Sequence, residues 1–190
     1  GTLMGNRGGC FHDEHKQLKK TRWKSKQWIT CLLEFKGRRR ELMAPNRYTE
    51  LFFLDEATAL AAGHRPCFEC RRDHARQFRD ALIASGAVET GVSVADIDKL
   101  IASEIQLRLK GKTAAPLNDA TALPDGAMFE HDGKAWLVHD GRCAEWSFGG
   151  YENLQPLPSA PIRVLTPQVA VAALQSGYRP LLHESFQALI

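Results

Sequence analysis

YTELFFLDEATALAAGHRPCFECRRD, residues 48–73, is the stretch whose reading decides the fold. Its first seven residues cluster aromatic and aliphatic side chains in the manner of a strand. Asp55 follows, and its carboxylate can accept the free amides of a helix over 56–62. Gly63 suits a left-handed helix stop, and Pro66 forbids any continuation. After Cys67-Phe68-Glu69-Cys70 a second helix is predicted over 71–85, with Ala75, Phe78, Ala81 and Leu82 on one stripe and Gly86 as its terminator. Strand, helix, Cys-x-x-Cys and helix in close succession indicate an α+β chain.

Upstream, residues 27–35 carry Trp28, Ile29, Leu32, Leu33 and Phe35 around a β-branched Thr30, which predicts a strand before the basic loop 36–41. The two strands are expected to pair in one antiparallel sheet, with Trp28 and Phe52 in the core. Residues 1–26 are Gly-rich and then Lys-rich, so they read as loop ordered by a metal rather than by a core. Downstream, Ser93 opens a helix to residue 110 that places Ile97, Leu100, Ile101 and Ile105 at helical spacing. Residues 113–126, rich in Ala, Pro, Asn and Asp, read as a linker. Asp132-Gly133 and Asp140-Gly141 then separate three short apolar segments, 127–129, 135–138 and 143–146, as successive hairpins require. A strand over 162–165 and a helix from Thr166-Pro167 to Gly177 follow. ALAAGHRP at 59–66 is echoed by ALQSGYRP at 173–180, the same helix-stop pattern used twice. The organisation expected is a zinc-organised antiparallel sheet with helices over 1–86, a helix and linker over 87–122, and a small β-rich domain ending in a helix over 123–190.

At 190 residues and 44% apolar content the chain is long enough to bury a core without disulfides. Its apolar runs fall far short of the roughly 20 residues a membrane helix needs. The N-terminal residues have no secretory apolar segment, and five cysteines, an odd number, do not resemble a secreted disulfide framework; a cytoplasmic location is expected. Charge is uneven: residues 1–80 hold 17 Lys and Arg against 10 Asp and Glu, whereas 81–190 hold 8 against 12. A positive field over the first part makes phosphate a natural target.

The Cys67-x-x-Cys70 pair is the sharpest chemical signal, because a tight turn aims both sulfurs at one ion and a helix N-terminus favours thiolate. Two sulfurs are half a tetrahedron. The other Zn²⁺ ligands are expected to be Cys31 and Cys10, the latter after a Gly8-Gly9 bend, with His12 as the alternative donor. A thioredoxin-type redox pair would instead follow a central strand of a parallel sheet.

Residues 48–73 also resemble the second half of the zinc-binding domain of the Ada DNA alkylation-repair family, sharing in order the strand, capped helix, Ala-Ala-Gly, Arg-Pro and Cys-x-x-Cys. The resemblance implies that Cys67 and Cys70 match the last two of four zinc-ligating cysteines, in a domain that lies on the DNA backbone. That family places a cysteine pair, including a methyl acceptor, shortly before the second strand. Here no cysteine occupies loop 36–41, so the acceptor is without a counterpart, and Cys31 between Ile29, Leu32 and Leu33 reads as buried.

Arg38, Arg39, Arg40, Arg47, Lys24 and Lys26, with Lys19, Lys20 and Arg22 nearby and Trp23 and Trp28 interleaved, supply the cations and flat faces that nucleic acid requires. The expected partner is nucleic acid, DNA favoured, around a structural zinc, and the sequence leans against catalysis. Two alternatives stay open: a metal-dependent nuclease or DNA-repair enzyme using His12 and Asp13 near the basic patch, and a protein-interaction module.

Overall fold

The computed structural model describes residues 1–38 and 41–190 and is α+β. The N-terminal sheet contains four strands in the order β3-β1-β2-β4: β1 (Leu3–Asn6), β2 (Ile29–Leu32), β3 (Leu51–Phe53) and β4 (Arg65–Pro66). This corrects two expectations. The strands at 29–32 and 51–53 do not pair with each other, because β1, from a segment read as loop, lies antiparallel between them. The sheet is also mixed, since β4 pairs parallel with β2. Leu3 and Gly5 of β1 are buried on one face. A side chain at Gly5 would strike the Phe53 ring, at 2.4 Å from its nearest atom. So short a strand, with a glycine where a large residue would signal burial, shows no periodicity to read.

Helix α1 (Glu56–Ala61) starts on Asp55, whose carboxylate accepts from the Thr58 amide. Helix α2 (Arg72–Ala84) buries Ala75, Phe78, Ala81 and Leu82, the predicted stripe. Helix α3 (Val94–Leu109) is capped by Ser93 and buries Ile97, Ile101 and Ile105, whereas Leu100, placed on that stripe by spacing, faces outward. The second sheet has six antiparallel strands in the order β5-β10-β6-β7-β8-β9. Its strands are β5 (Leu117–Asn118), β6 (Met128–His131), β7 (Lys134–His139), β8 (Arg142–Trp146), β9 (Tyr151–Pro156) and β10 (Ile162–Val164). Both Asp-Gly pairs turn their hairpins with positive φ at each residue, as a two-residue loop demands. Helix α4 (Gln168–Gln175) and a short α5 (Glu184–Gln187) close the chain.

The echoed segments are one helix stop built twice. Gly63 donates to Leu60 O and His64 to Ala59 O; Gly177 donates to Leu174 O and Tyr178 to Ala173 O. In both, the aromatic residue after the glycine is driven into the interior. The expected domain boundary is bridged by packing. One core holds Trp28, Leu60 and Phe78 together with Phe129, Trp136 and Leu174. A second core joins Leu54 and Ala57 to Met128, Tyr151 and Phe186.

Candidate metal centre

Cys31, Cys67 and Cys70 converge, their sulfur atoms all within 4.8 Å of one another. Backbone pairing does this. The Arg65 amide donates to Trp28 O and the Cys67 amide to Thr30 O, so β4 delivers Cys67 directly beside Cys31 on β2. The strand is locked from behind by Arg65, whose guanidinium donates to both Asp98 oxygens of α3 at 2.7 and 2.9 Å, with both side chains buried. The chain then turns into α2, the Arg71 amide donating to Cys67 O, and Cys70 swings back at the helix entrance.

The chemistry of this donor set suits zinc. A tetrahedral ion with metal–sulfur bonds near 2.3 Å sets its sulfurs about 3.8 Å apart, the scale of this cluster. The Glu69 amide points to Cys67 Sγ at 3.3 Å, and the Leu32 amide hydrogen bonds to Cys70; such N–H···S contacts stabilise thiolate charge. Hydrogen bonds from the Cys31 and Cys70 thiols hold the Cys67 thiol well below its ordinary range, and the same contacts, to Cys67 and then Cys70, push Cys31 up. The three sulfurs therefore titrate together as a group, and a cation binding to them would displace their remaining protons to solvent. All five cysteines are free thiols, and Cys67–Cys70 follows a two-residue edge strand with a third sulfur beside it, unlike a redox pair.

Among the described residues the cluster gathers neither Cys10 nor His12. The reason is strand direction: β1 runs antiparallel to β2, with Asn6 opposite Ile29, so residues beyond Asn6 travel away from Cys31. The Cys10 sulfur lies 3.7 to 3.8 Å from the His12 ring nitrogens instead. His12 is buried, with Nδ1 2.7 Å from the Thr49 hydroxyl and Nε2 3.3 Å from Ala44 O. At the Gly8-Gly9 bend the space is taken by the chain itself. Gly8 lets the chain cross Ser25, whose hydroxyl would lie 1.9 Å from an added Cβ. Asp13 accepts the His15 and Gln17 amides, so it closes a turn and forms no metal group with His12.

Cys31 is only half-buried, contrary to expectation, because it faces the open side of the sheet. Cross-strand register places Met4 opposite Cys31 and Phe52 opposite Met4, so the three share a face. Phe52, expected in the core, is 51% exposed there, whereas Trp28 is buried as expected. A groove of about 430 Å³ lies over this face, with the three cysteines, Phe52, Glu50 and Tyr48 in its lining and Arg38, Phe35 and Leu42 from the following loop as further wall. Sequence reasoning missed Tyr48, Glu50 and Phe52. Phe52 alternates with buried Phe53 within β3, whereas Tyr48 and Glu50 lie just before that strand, so Phe52 alone carried a periodic signal.

Arg38 sits on the rim, paired with Glu69 at 2.7 Å and half exposed. Arg47, Lys24 and Lys26 are exposed, and Lys24 and Ser25 donate their amides to Arg7 O beyond the Asn6 end of the sheet. Lys19 and Arg22 line a smaller cavity on the other side of Phe52. Arg39 and Arg40 lie outside the described residues. No helix among the described residues is long and apolar enough to cross a membrane. Comparison of the chain with protein-family models, with curated proteins and with solved structures finds no match.

Proposed function

We propose that the protein holds Zn²⁺ on Cys31, Cys67 and Cys70 and binds nucleic acid, DNA favoured, across the exposed face of its N-terminal sheet. The observation that carries this reading is the position of the three-sulfur cluster in a groove that is open to solvent and flanked by cations. Arg38 stands on one rim, Lys19 and Arg22 flank Phe52, and Lys24 and Lys26 lie beyond the Asn6 end. Cations spread along a surface track a polyanion, and an exposed aromatic ring offers a base a stacking face. The ion itself ties β2 to the β4–α2 turn, so its role on this reading is structural.

Two measurements test the reading together. Purified protein should carry one equivalent of zinc, reduced to substoichiometric levels by Cys67→Ser, with a lowered melting temperature. Association with single- or double-stranded DNA should weaken steeply with salt, and joint replacement of Arg38, Lys19 and Arg22 by Glu should both weaken it and flatten the salt dependence. Absence of a stoichiometric metal, or affinity indifferent to those replacements, would contradict it.

A second reading is favoured by one observation: of the three cysteines lining the groove, Cys67 is buried whereas Cys31 and Cys70 are half-buried, and Cys31 shares the open sheet face with Met4 and Phe52. A thiolate that is both in the cluster and accessible is what methyl acceptance requires. On this reading Cys31 Sγ attacks the methyl carbon of an alkylated DNA phosphate; the carbon–sulfur bond forms, the carbon–oxygen bond breaks, and a phosphodiester anion leaves. Incubation with methylated DNA should add one methyl group to the intact protein, mapped to Cys31 and abolished by Cys31→Ser.

A further inference from the structure

Glu50 is 6% exposed and lines the groove that also holds the three cysteines. One of its carboxylate oxygens accepts the Met43 amide at 2.9 Å. The other, Oε1, is buried and has no hydrogen-bond partner among the described residues. Leaving a charged acceptor unsatisfied away from water is costly, and buried polar groups are otherwise almost always paired. The orphan oxygen marks a place where a donor is to arrive from outside.

The neighbourhood restricts what that donor belongs to. Glu50, just before β3, and Phe52 within it line the same groove, and Phe52 offers an exposed aromatic ring there. A cationic ligand would meet Arg38 in the groove itself, and Lys19 and Arg22 in the cavity that shares Phe52 with it. A flat neutral group with an N–H edge and an anionic tether meets all three conditions. We propose that the groove receives one unpaired nucleobase bearing an exocyclic amine, stacked on Phe52 and donating that amine to Glu50 Oε1. Carboxylates accept from the cytosine amine in this way, whereas thymine and uracil flank their single N–H with two carbonyl oxygens that the carboxylate repels. The proposal rests on the nucleic-acid reading for the strand that carries the base.

The test uses the full, zinc-loaded chain and fluorescence anisotropy with a short labelled oligothymidylate and the same strand carrying one central dC. The dC strand should bind about tenfold more tightly, the scale of one good base contact. Glu50→Gln, which keeps size and shape, should bring the ratio of the two affinities near unity. Phe52→Ala alters an exposed side chain and leaves folding intact, so it covers the case in which the Glu50 variant fails to fold; it should lower affinity for the dC strand about tenfold. Equal wild-type affinity for both strands would overturn the base pocket while leaving the nucleic-acid reading in place. Binding of free cytidine, seen as shifts of the Phe52 ring resonances without any strand binding, would support the pocket and defeat the strand reading. Failure of both cytidine and strands to bind would defeat the two together.

Discussion

At the residue scale the most consequential buried polar group outside the sulfur cluster is His64. It is fully enclosed, its ring packed between Trp28 and Phe53 at centroid distances of 5.4 and 4.7 Å. Arg7 donates its Nε–H to His64 Nε2, so the remaining ring proton sits on Nδ1 and is donated to Ala62 O at 3.0 Å. Both ring positions are satisfied by the neutral imidazole alone. Burial first, and then the Arg7 charge, hold its pKa well below the ordinary 6.5. The unfolded chain takes up a proton at His64 as pH falls through that value while the folded chain does not, so stability is full above pH 6.5 and declines below it. Urea titrations from pH 7.5 to 5.5, with excess zinc present, should show this decline, and His64→Phe should make the profile shallower in that window. A profile left unchanged by the substitution would mean that His64 is not the group responsible.

At the element scale, the site depends on a strand of two residues. β4 has too few hydrogen bonds to hold its own register, and the bidentate Arg65–Asp98 pair supplies the anchor, tying the residues just before Cys67 to the second turn of α3. Removing one partner of a buried pair strands the other charge. Asp98→Ala is therefore expected to cost about 3 to 5 kcal/mol in chemical denaturation. It should also weaken zinc retention against a competing chelator, because β4 positions Cys67; normal stability and retention would show that the backbone pairing suffices. The same elements show what a sequence can tell. Asp55, Gly63, Pro66 and the two Asp-Gly turns act through local conformation, so their elements were legible where they stand. Cys67 and Cys70 were legible for the same reason. Cys31 joins them through a parallel pairing between distant strands, which no local pattern encodes, and Cys10 was misplaced because the course of β1 was invisible. The register with that hidden central strand also sets Phe53 beside buried Leu3 on one face and Phe52 beside Met4 on the open one.

At the scale of the whole molecule, Asp55 and Glu56 do more than open α1. Asp55 accepts the Tyr151 hydroxyl at 2.8 Å and the His183 amide, while Glu56 accepts the Tyr178 hydroxyl and the Leu181 amide and pairs with Arg71 at 2.8 Å. Burial, and then the adjacent carboxylate charge, raise both tyrosines far above their ordinary pKa, so the phenols remain donors throughout the physiological range. Two successive carboxylates thus clasp the C-terminal segments to the helix that leads toward the cysteine cluster. Arg71, next to Cys70, belongs to the same clasp, which couples the sulfur cluster to residues on the far side of the core. With both cores drawing on both halves, neither half can expose its inner face alone without losing the burial that holds the other. Unfolding is therefore expected to be one transition, even though the chain has two sheets. In a variant with Trp23, Trp28 and Trp146 replaced by Phe, Trp136 fluorescence, reporting the second sheet, and far-ultraviolet dichroism should give coincident urea midpoints, and zinc removal should lower both by the same amount. A Trp136 signal that holds its midpoint while the N-terminal sheet melts would show two independent units and would make the Asp55–Glu56 clasp a contact without thermodynamic weight.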